Sequence, residues 1–300
     1  MPNKSKQSVL LIGSTGTVGS CLLNFFRERS SSVELTVTAR QSRAHDAGEV
    51  VSFDLLDAFS EIGRLPDVDV VVICGGMTKF VECERAPVDA LLVNSLAVKA
   101  LMERFPKSRV LYVSSDAARS VSDVVCGKTG LASRQQYLSM YGMSKMIGEH
   151  YVTAQCDPGK QVIRLGKVVG PMSKLFEGWV RSLAAGESVE AFDNHLLSPV
   201  WIDDAVAHLG SMALYGRSLS ATGSSFVGEP LTYLEFARLI ATRMGADSRL
   251  VKPRQATETE LPLFMRQVAV YKPGKLESID QVLSAGYVAG RLVDALRPSL

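Results

Sequence analysis

The sequence predicts an α/β protein in which a doubly wound parallel sheet is followed by a smaller C-terminal lobe. Short runs rich in Val, Ile and Leu alternate with helical patterns through the first 170 residues, as right-handed βαβ units require. The runs are nearly continuous in apolar residues, which is typical of strands covered on both faces of a parallel sheet. Three glycines spaced by three follow the first run, at the turn where a first strand enters its helix.

Each predicted strand ends at a glycine, a serine or another polar residue. The predicted strands are 8–13, 33–39, 49–54, 67–75, 108–115 and 160–166, and the predicted helices between them are 17–29, 84–104 and 136–156. Beyond residue 170 we predict helices at 174–186, 203–215 and 231–245 and short strands at 199–202 and 224–228. We therefore predict a first domain over 1–170 and a lobe over 171–300, with residues 199–228 returning in part to the first domain.

Composition indicates an ordinary globular protein. The chain has 300 residues, of which 46% are hydrophobic and 21% charged, and its net charge of +2 is too small to predict binding to nucleic acid or to an anionic membrane surface. The polar start and the short apolar run after it predict neither a signal peptide nor a membrane span. The five scattered cysteines form no Cys-x-x-Cys pair, which favours a reducing cytoplasm over a disulfide framework or a zinc site.

The glycines of the first turn predict a dinucleotide site. Gly13, Gly16 and Gly19 follow the first predicted strand, where glycine permits a close backbone approach and the helix N-terminus offers free N–H groups to a pyrophosphate. A tight βα turn without a ligand is the alternative. The residues that we expect to contact the cofactor at this turn are Gly13, Thr15, Gly16, Thr17, Val18 and Gly19.

The end of the second predicted strand bears on cofactor choice. Arg40 ends the strand, Arg43 follows, and no acid lies nearby. An acid there would bind a ribose 2′-hydroxyl, whereas arginine suits a 2′-phosphate, so we expect NADP(H); a solvated loop arginine is the alternative. After the third strand, Asp54 and Leu55 are expected beside the adenine, although a helix-capping role for Asp54 or Asp57 explains the carboxylates equally well.

The candidate catalytic residues are Ser115, Tyr141 and Lys145. The tyrosine and the lysine are four residues apart on a predicted helix and so share one face. A lysine cation lowers the pKa of a neighbouring phenol, and a tuned tyrosine can give a proton to a carbonyl oxygen. Ser115 ends the fifth predicted strand, where the ligand crevice of such a sheet lies. A surface aromatic beside a lysine is the alternative.

These motifs together resemble the extended short-chain dehydrogenase/reductase superfamily. The further segments that carry the resemblance are "YGMSKMIGE" (141–149), "IRLGKVVGP" (163–171), Asn94 in "LLVNSLAVKALM", "SPVWIDDAVAHL" (198–209) and "EPLTYLEFARLIATRMG" (229–245). The resemblance implies a Rossmann-type domain that binds NAD(P) and a C-terminal lobe that binds a sugar nucleotide. The "SSD" at 114–116 looks most like the dTDP-4-dehydrorhamnose reductase branch.

The resemblance implies NADPH-dependent reduction of a keto group on a nucleotide-linked deoxysugar in the cytoplasm. Tyr141 would be the proton donor, Lys145 would tune it and hold the nicotinamide ribose, and Ser115 would orient the ketone. Further cofactor contacts are expected at Gly75, Gly76 and Asn94, and Tyr141 is expected to contact the cofactor as well. Substrate contacts are expected at Asp116, Met143 and Lys174, with Arg164 and Lys167 as further candidates for the phosphates of the substrate.

A homodimer is one candidate assembly. Glu149 is expected to be the salt-bridge neighbour of Lys145.

Two departures from the branch bear on the function. Residues 117–136 read "AARSVSDVVCGKTGLASRQQ" where relatives have an aromatic-rich segment, and "CGGM" (74–77) stands where small alanines are usual. A 4,6-dehydratase would want Glu at Ala117, whereas an epimerase and a non-catalytic NADP-binding regulator stay open as alternatives. His45, His150, His195 and His208 show no ligand spacing, so no metal site is predicted.

Overall fold

The computed structural model describes residues 6–40, 49–118, 139–216, 223–255 and 279–299. The strands are β1 Gln7–Ile12, β2 Val33–Ala39, β3 Glu49–Ser52, β4 Val70–Ile73, β5 Arg109–Ser115, β6 Lys160–Leu165, β7 Lys167–Val169, β8 Val189–Phe192, β9 Leu196–Leu197, β10 Pro199–Trp201, β11 Ser224–Gly228, β12 Leu231–Thr232, β13 Val251–Arg254 and β14 Ile279–Leu283. The helices are α1 Thr17–Arg27, α2 Ala58–Glu61, α3 Phe80–Arg85, α4 Pro87–Leu91, α5 Ala97–Arg104, α6 Met140–Thr153, α7 Lys174–Ala184, α8 Ile202–Tyr215, α9 Tyr233–Met244 and α10 Ala285–Leu296.

Eight strands form one sheet in the order β14-β11-β6-β5-β4-β1-β2-β3. The pairs β1–β2, β1–β4, β4–β5, β2–β3 and β11–β14 are parallel. The order reverses between β1 and β4, which is the topological switch point at which such sheets bind ligands. The predicted α/β class with a doubly wound parallel sheet is therefore confirmed, because strands covered by helices on both faces bury the apolar runs seen in the sequence.

The chain divides into two compact units. Within the described ranges, the first unit takes residues 6–40, 49–118, 139–164, 206–216 and 223–224, and the second takes 165–205, 225–255 and 279–299. The predicted domain boundary near residue 170 stays a prediction. In the part of the chain that the structure describes, no helix combines the length and apolar character of a membrane crossing.

The core of the first unit lies between the sheet and its helices. Leu10, Ile73 and Val110 from the strands pack with Val98 and Leu101 from α5, and all five are at most 2% exposed. In the second unit, aromatic side chains cluster around Phe176, whose ring centroid lies 5.5 Å from that of Trp179 and 5.3 Å from that of Phe236. Each unit thus buries its own apolar side chains, which is the main stabilising contribution to folding.

The segment between β4 and β5 departs from the single helix predicted over 84–104. Helix α3 ends before Pro87, since a residue that precedes proline is disfavoured in the helical region and Ala86 has φ −128° and ψ 68°. A single π turn, Leu92–Leu96, then separates α4 from α5. Such a bulge redirects the backbone locally and is frequent at functional sites. Asn94 lies at its centre.

Candidate active site

The turn between β1 and α1 is built on the three predicted glycines. Gly13 has φ +88°, a conformation that side chains rarely adopt. A Cβ on Gly13 would overlap the backbone of Gly75, and a Cβ on Gly19 would overlap the carbonyl oxygen of Gly13. The Gly16 N–H donates to the same carbonyl oxygen at 3.2 Å. Only glycine lets the helix, the turn and the end of β4 approach this closely.

The N-terminus of α1 is open to an anion. The first turn of this helix contains no acidic residue, so its positive dipole end is not neutralised locally. Thr15, Gly16 and Thr17 are exposed here, and Val18 is half-buried. Free N–H groups and exposed backbone at a helix start are what a pyrophosphate requires.

Two hydrogen bonds hold the glycine turn beside the end of β2. The Ser14 hydroxyl donates to the Thr38 carbonyl at 2.8 Å, and the Gly13 N–H donates to the Thr38 hydroxyl at 3.4 Å. Arg40 follows β2 directly and is exposed. Arg43 lies outside the described residues. The structure therefore brings the end of the strand that carries Arg40 next to the glycine turn.

Asp54 orders a turn after β3. Its Oδ1 accepts from the Leu56 N–H at 3.0 Å, and its own N–H donates to Glu61 Oε2 at 2.8 Å. The N-cap of α2 is Asp57, whose side chain makes no capping hydrogen bond. Leu55 lies against the end of β4, because a Cβ on Gly75 would be 2.9 Å from its Cδ1. The turn thus places Leu55 beside the glycines, while the Asp54 carboxylate stabilises the backbone.

Gly76 connects the end of β4 to the candidate catalytic helix. A Cβ on Gly76 would lie 2.8 Å from Asn94 Oδ1 and 3.2 Å from Lys145 Nζ. The Asn94 amide accepts from the Met77 N–H at 2.9 Å and donates to the Met77 carbonyl at 2.9 Å. Four cofactor residues predicted from separate parts of the sequence, namely Gly75, Gly76, Asn94 and Lys145, therefore lie together.

Asn94 is also bound to α6 and β5. Its amide donates to the Ser144 hydroxyl at 3.0 Å, and the Tyr112 hydroxyl donates to the Asn94 carbonyl at 3.0 Å. Asn94 and Ser144 are at most 1% exposed. Neither Tyr112 nor Ser144 is a sequence-predicted site residue. The sequence signal that could have found them is the pair of small residues Ser144 and Gly148 on the helix that carries Tyr141 and Lys145. Small residues at this spacing indicate a close helix contact.

Ser115 and Tyr141 lie together. Tyr141 is 7% exposed, its ring packs edge-on against Phe80 with centroids 4.9 Å apart, and the Ser115 side chain lies near enough to its hydroxyl to lower its pKa. Ser114, one residue earlier on β5, is 4% exposed, and its hydroxyl has no partner among the described residues. The alternation of the strand thus separates the two serines, and Ser115 is the one beside the tyrosine.

The pKa of Tyr141 moves in the direction opposite to the one predicted. Burial raises it to about 12, against a lowering by the Ser115 hydrogen bond. The prediction that Lys145 lowers the pKa of Tyr141 was wrong, because desolvation of the phenolate outweighs the interactions that favour it. A phenol with this pKa stays protonated at neutral pH, which is the form that a proton donor needs.

Lys145 is buried against β5. It is 3% exposed, its Nζ donates to the Val113 carbonyl at 3.1 Å, and the same atom lies 4.7 Å from the centroid of the Tyr112 ring. Burial lowers the pKa of Lys145 to about 8, although Cys74, Glu149 and Cys83 each act to raise it. This lysine is therefore a group whose charge depends on its neighbours.

Glu149 does not pair with Lys145 as predicted. Its carboxylate accepts from Arg164 Nε at 2.9 Å and from Arg164 Nη2 at 2.5 Å. The side chains of Glu149 and Arg164 are 5% and 16% exposed. Arg164, expected to meet substrate phosphates, is instead paired with Glu149 and so joins β6 to α6. Glu149 and Arg164 are 15 residues apart in the sequence, so local spacing could not predict that they pair.

The remaining predicted substrate residues fall in two places. Asp116 and Met143 are half-buried in the first unit, close in sequence to Ser115 and Tyr141. Lys174 is exposed at the start of α7 in the second unit, and Lys167 begins β7 in the same unit. Across the described ranges, no three His, Cys, Asp or Glu side chains form a group suited to a metal ion.

Solved structures similar to this one cover nearly the whole chain. A dTDP-4-dehydrorhamnose reductase from Yersinia enterocolitica has a TM-score of 0.72 at 19% identity, and the match covers 97% of this chain and 99% of that one. A UDP-glucose 4-epimerase from Thermotoga maritima has a TM-score of 0.69 at 17% identity, with 97% and 99% covered. A dTDP-glucose 4,6-dehydratase from Bacillus anthracis has a TM-score of 0.67 at 14% identity, with 97% of each chain covered. These likenesses show a shared fold.

Sequence similarity identifies the family of this chain. No curated protein sequence matches this chain. A family model described as the RmlD substrate binding domain matches residues 7–279, which include the glycine turn, Ser115, Tyr141 and Lys145. Because this match spans most of its length, the chain belongs to the RmlD substrate binding domain family, within the extended short-chain dehydrogenase/reductase superfamily.

Proposed function

We propose that this protein is an NADPH-dependent reductase that acts on a keto group of a nucleotide-linked sugar. The observation that carries the proposal is the position of the Ser115 side chain beside the hydroxyl of the buried Tyr141, where it acts to lower the pKa of that hydroxyl. Ser115 is at the carboxyl end of β5, next to β4, which is one of the two strands at the switch point of the strand order. Proton donors at this edge suit the reduction of a carbonyl.

The residues around the glycine turn fit a nicotinamide dinucleotide. At Gly13, Gly75 and Gly76 a Cβ would overlap neighbouring protein atoms, so the bare backbone lets the turn and the end of β4 pack closely beside the start of α1, which is suited to a pyrophosphate. When bound, NADPH supplies the hydride for the reduction. Solved neighbours include a dehydratase described in complex with NAD, which supports a nicotinamide cofactor in this fold.

The protein's own residues supply the proton and the electrostatic support. Tyr141 donates its hydroxyl proton to the carbonyl oxygen of the substrate as the carbonyl carbon is reduced. Ser115 donates a hydrogen bond to the same oxygen and stabilises the charge that develops there. Lys145, held by the Val113 carbonyl, stabilises the phenolate that remains on Tyr141 and binds the nicotinamide ribose.

The substrate class follows from the family and its fold. Among the solved neighbours are enzymes named for dTDP-linked and UDP-linked sugars. We assign Asp116 and Met143 to the sugar, and Lys167 and Lys174 to the phosphates, since a cation binds phosphate as a point charge. A homodimer located in the cytoplasm is part of the same proposal.

A panel of nucleotide-linked 4-keto sugars tests the proposed function. We expect loss of NADPH absorbance with at least one member and formation of the corresponding hydroxy sugar. Conversion of a sugar nucleotide without net consumption of NADPH would instead identify an epimerase. Tight NADPH binding with no turnover across the panel would identify a non-catalytic regulator.

Ser115 is expected to contribute more to turnover than Ser114. Ser115→Ala removes the donor beside Tyr141, and loss of an oxyanion donor costs up to about 10³-fold, so we expect kcat/KM to fall about 10- to 10³-fold. Ser114→Ala is the matched control, with kcat/KM nearly unchanged. Steady-state kinetics of both variants decide the assignment, and a larger loss with Ser114→Ala would contradict it.

Arg40 is expected to set the preference for NADPH. The 2′-phosphate is the only difference from NADH, and a hydrogen bond to a charged group is worth at least about tenfold in affinity. We expect wild-type kcat/KM to favour NADPH at least about tenfold, and Arg40→Ala to remove most of this preference by weakening NADPH alone. Equal use of both cofactors by the wild type, or an equal loss of both in the variant, would refute this role.

A further inference from the structure

Lys145 is surrounded by few groups that can change its charge. The titratable or charged groups that face it are Cys74 after β4, Cys83 on α3, the ring of Tyr112 on β5 and Glu149 on α6 itself, and Tyr141 lies one helical turn earlier on α6. Of these, Glu149 is the one carboxylate. It lies one helical turn after Lys145, where side chains four residues apart are neighbours.

A carboxylate one turn from a buried lysine is its natural ion-pair partner. Such a pair would draw the ammonium along the helix, away from Tyr141 one turn earlier. Instead the Glu149 carboxylate binds Arg164, and both its oxygens accept from the guanidinium. The guanidinium reaches it from β6, so the acid is oriented toward the strand.

We propose that Arg164 is a positioning residue for Lys145, because it binds the Glu149 carboxylate and prevents that carboxylate from capturing the Lys145 ammonium. The ammonium then keeps its place against the Val113 carbonyl and the Tyr112 ring. The functional consequence rests on the proposed function, in which Lys145 supports Tyr141 and the cofactor. The charge arrangement itself does not depend on the reaction.

The proposal predicts pKa changes of opposite sign for the two partners. Without Arg164, the negative Glu149 is no longer balanced and stabilises the ammonium, so the pKa of Lys145 rises. Without Glu149, the positive Arg164 is no longer balanced and destabilises the ammonium, so the pKa of Lys145 falls. A neighbouring unit charge shifts the pKa of a buried group by about one pH unit. Removal of both charges sets the two changes against each other, so the pKa of the double variant lies between those of the single variants.

NMR titration of the lysine side chains, free of cofactor and substrate, measures this directly. Protein labelled at lysine Cε and Nζ is titrated, and the Lys145 signal is identified by its loss in Lys145→Met. We expect Arg164→Gln to raise the Lys145 pKa, Glu149→Gln to lower it, and the double variant to have a pKa between those of the two single variants. Glu103→Gln, which breaks the exposed Lys99–Glu103 pair on α5, is the control and should cause no shift.

The outcomes separate positioning from a purely structural role. An ion pair that only joins α6 to β6 would lower stability in both single variants without shifts of opposite sign, and that result overturns the proposal. If Arg164→Gln does not fold, two other results test the proposal. The Lys145 pKa should fall in Glu149→Gln, and it should rise again in the double variant. Opposite shifts together with no reduction of any keto sugar would retain the charge arrangement and reject the proposed function.

Discussion

Replacement of Tyr141 by phenylalanine is expected to lower kcat by about 10²–10⁴-fold, the usual contribution of a general acid. The variant keeps the ring against Phe80, whose centroid is 4.9 Å away, and removes only the hydroxyl that lies beside Ser115. Because the cofactor site lies at the glycines, the affinity for NADPH should change little. Steady-state kinetics and a fluorescence titration with NADPH measure the two quantities.

The matched control for this variant is Tyr151→Phe. Tyr151 lies on the same helix, ten residues after Tyr141, and its replacement by phenylalanine also removes one phenolic hydroxyl. We expect its kcat to stay close to that of the wild type. If Tyr141→Phe retained more than half of the wild-type kcat, Tyr141 would not be the proton donor.

The second large effect is expected at Gly148, in the middle of α6. A Cβ there would overlap the carbonyl oxygen of Asn94 and lie 2.8 Å from the Tyr112 hydroxyl. Asn94 lies at the centre of the π turn, and the Tyr112 hydroxyl donates to its carbonyl, so neither neighbour can move aside without disturbing that hydrogen bond. Overpacking a buried site costs about 1–3 kcal/mol, and we expect Gly148→Ala to lower the free energy of unfolding by that amount.

Gly178→Ala provides the matched control on another helix. Gly178 lies within α7 and is exposed, and no atom lies within 4 Å of the position that a Cβ would take there. Alanine there should raise the free energy of unfolding by about 0.5–1 kcal/mol, because glycine loses more conformational freedom on folding. Denaturant unfolding of both variants measures the difference. Equal effects of the two substitutions would contradict the close contact at Gly148.

Much of the fold can be predicted from the sequence because it depends on local patterns. The six strands predicted over the first 170 residues all occur, and the predicted strand 33–39 is matched by Val33–Ala39. The glycine turn was also predictable, because its spacing follows from steric limits on the backbone. The helical spacing of Tyr141 and Lys145 likewise places both on one face of α6.

By itself, then, the sequence determined the α/β class, the glycine turn and the shared helix of the tyrosine and the lysine, since each depends on neighbours within a few residues. Only the tertiary structure decided the π turn at Asn94, which follows from close contact with Tyr112 and Ser144. It also decided that burial raises the pKa of Tyr141 and that Glu149 binds Arg164 instead of Lys145. Desolvation and ion pairing depend on which groups the folded chain brings together, and linear spacing does not contain that information.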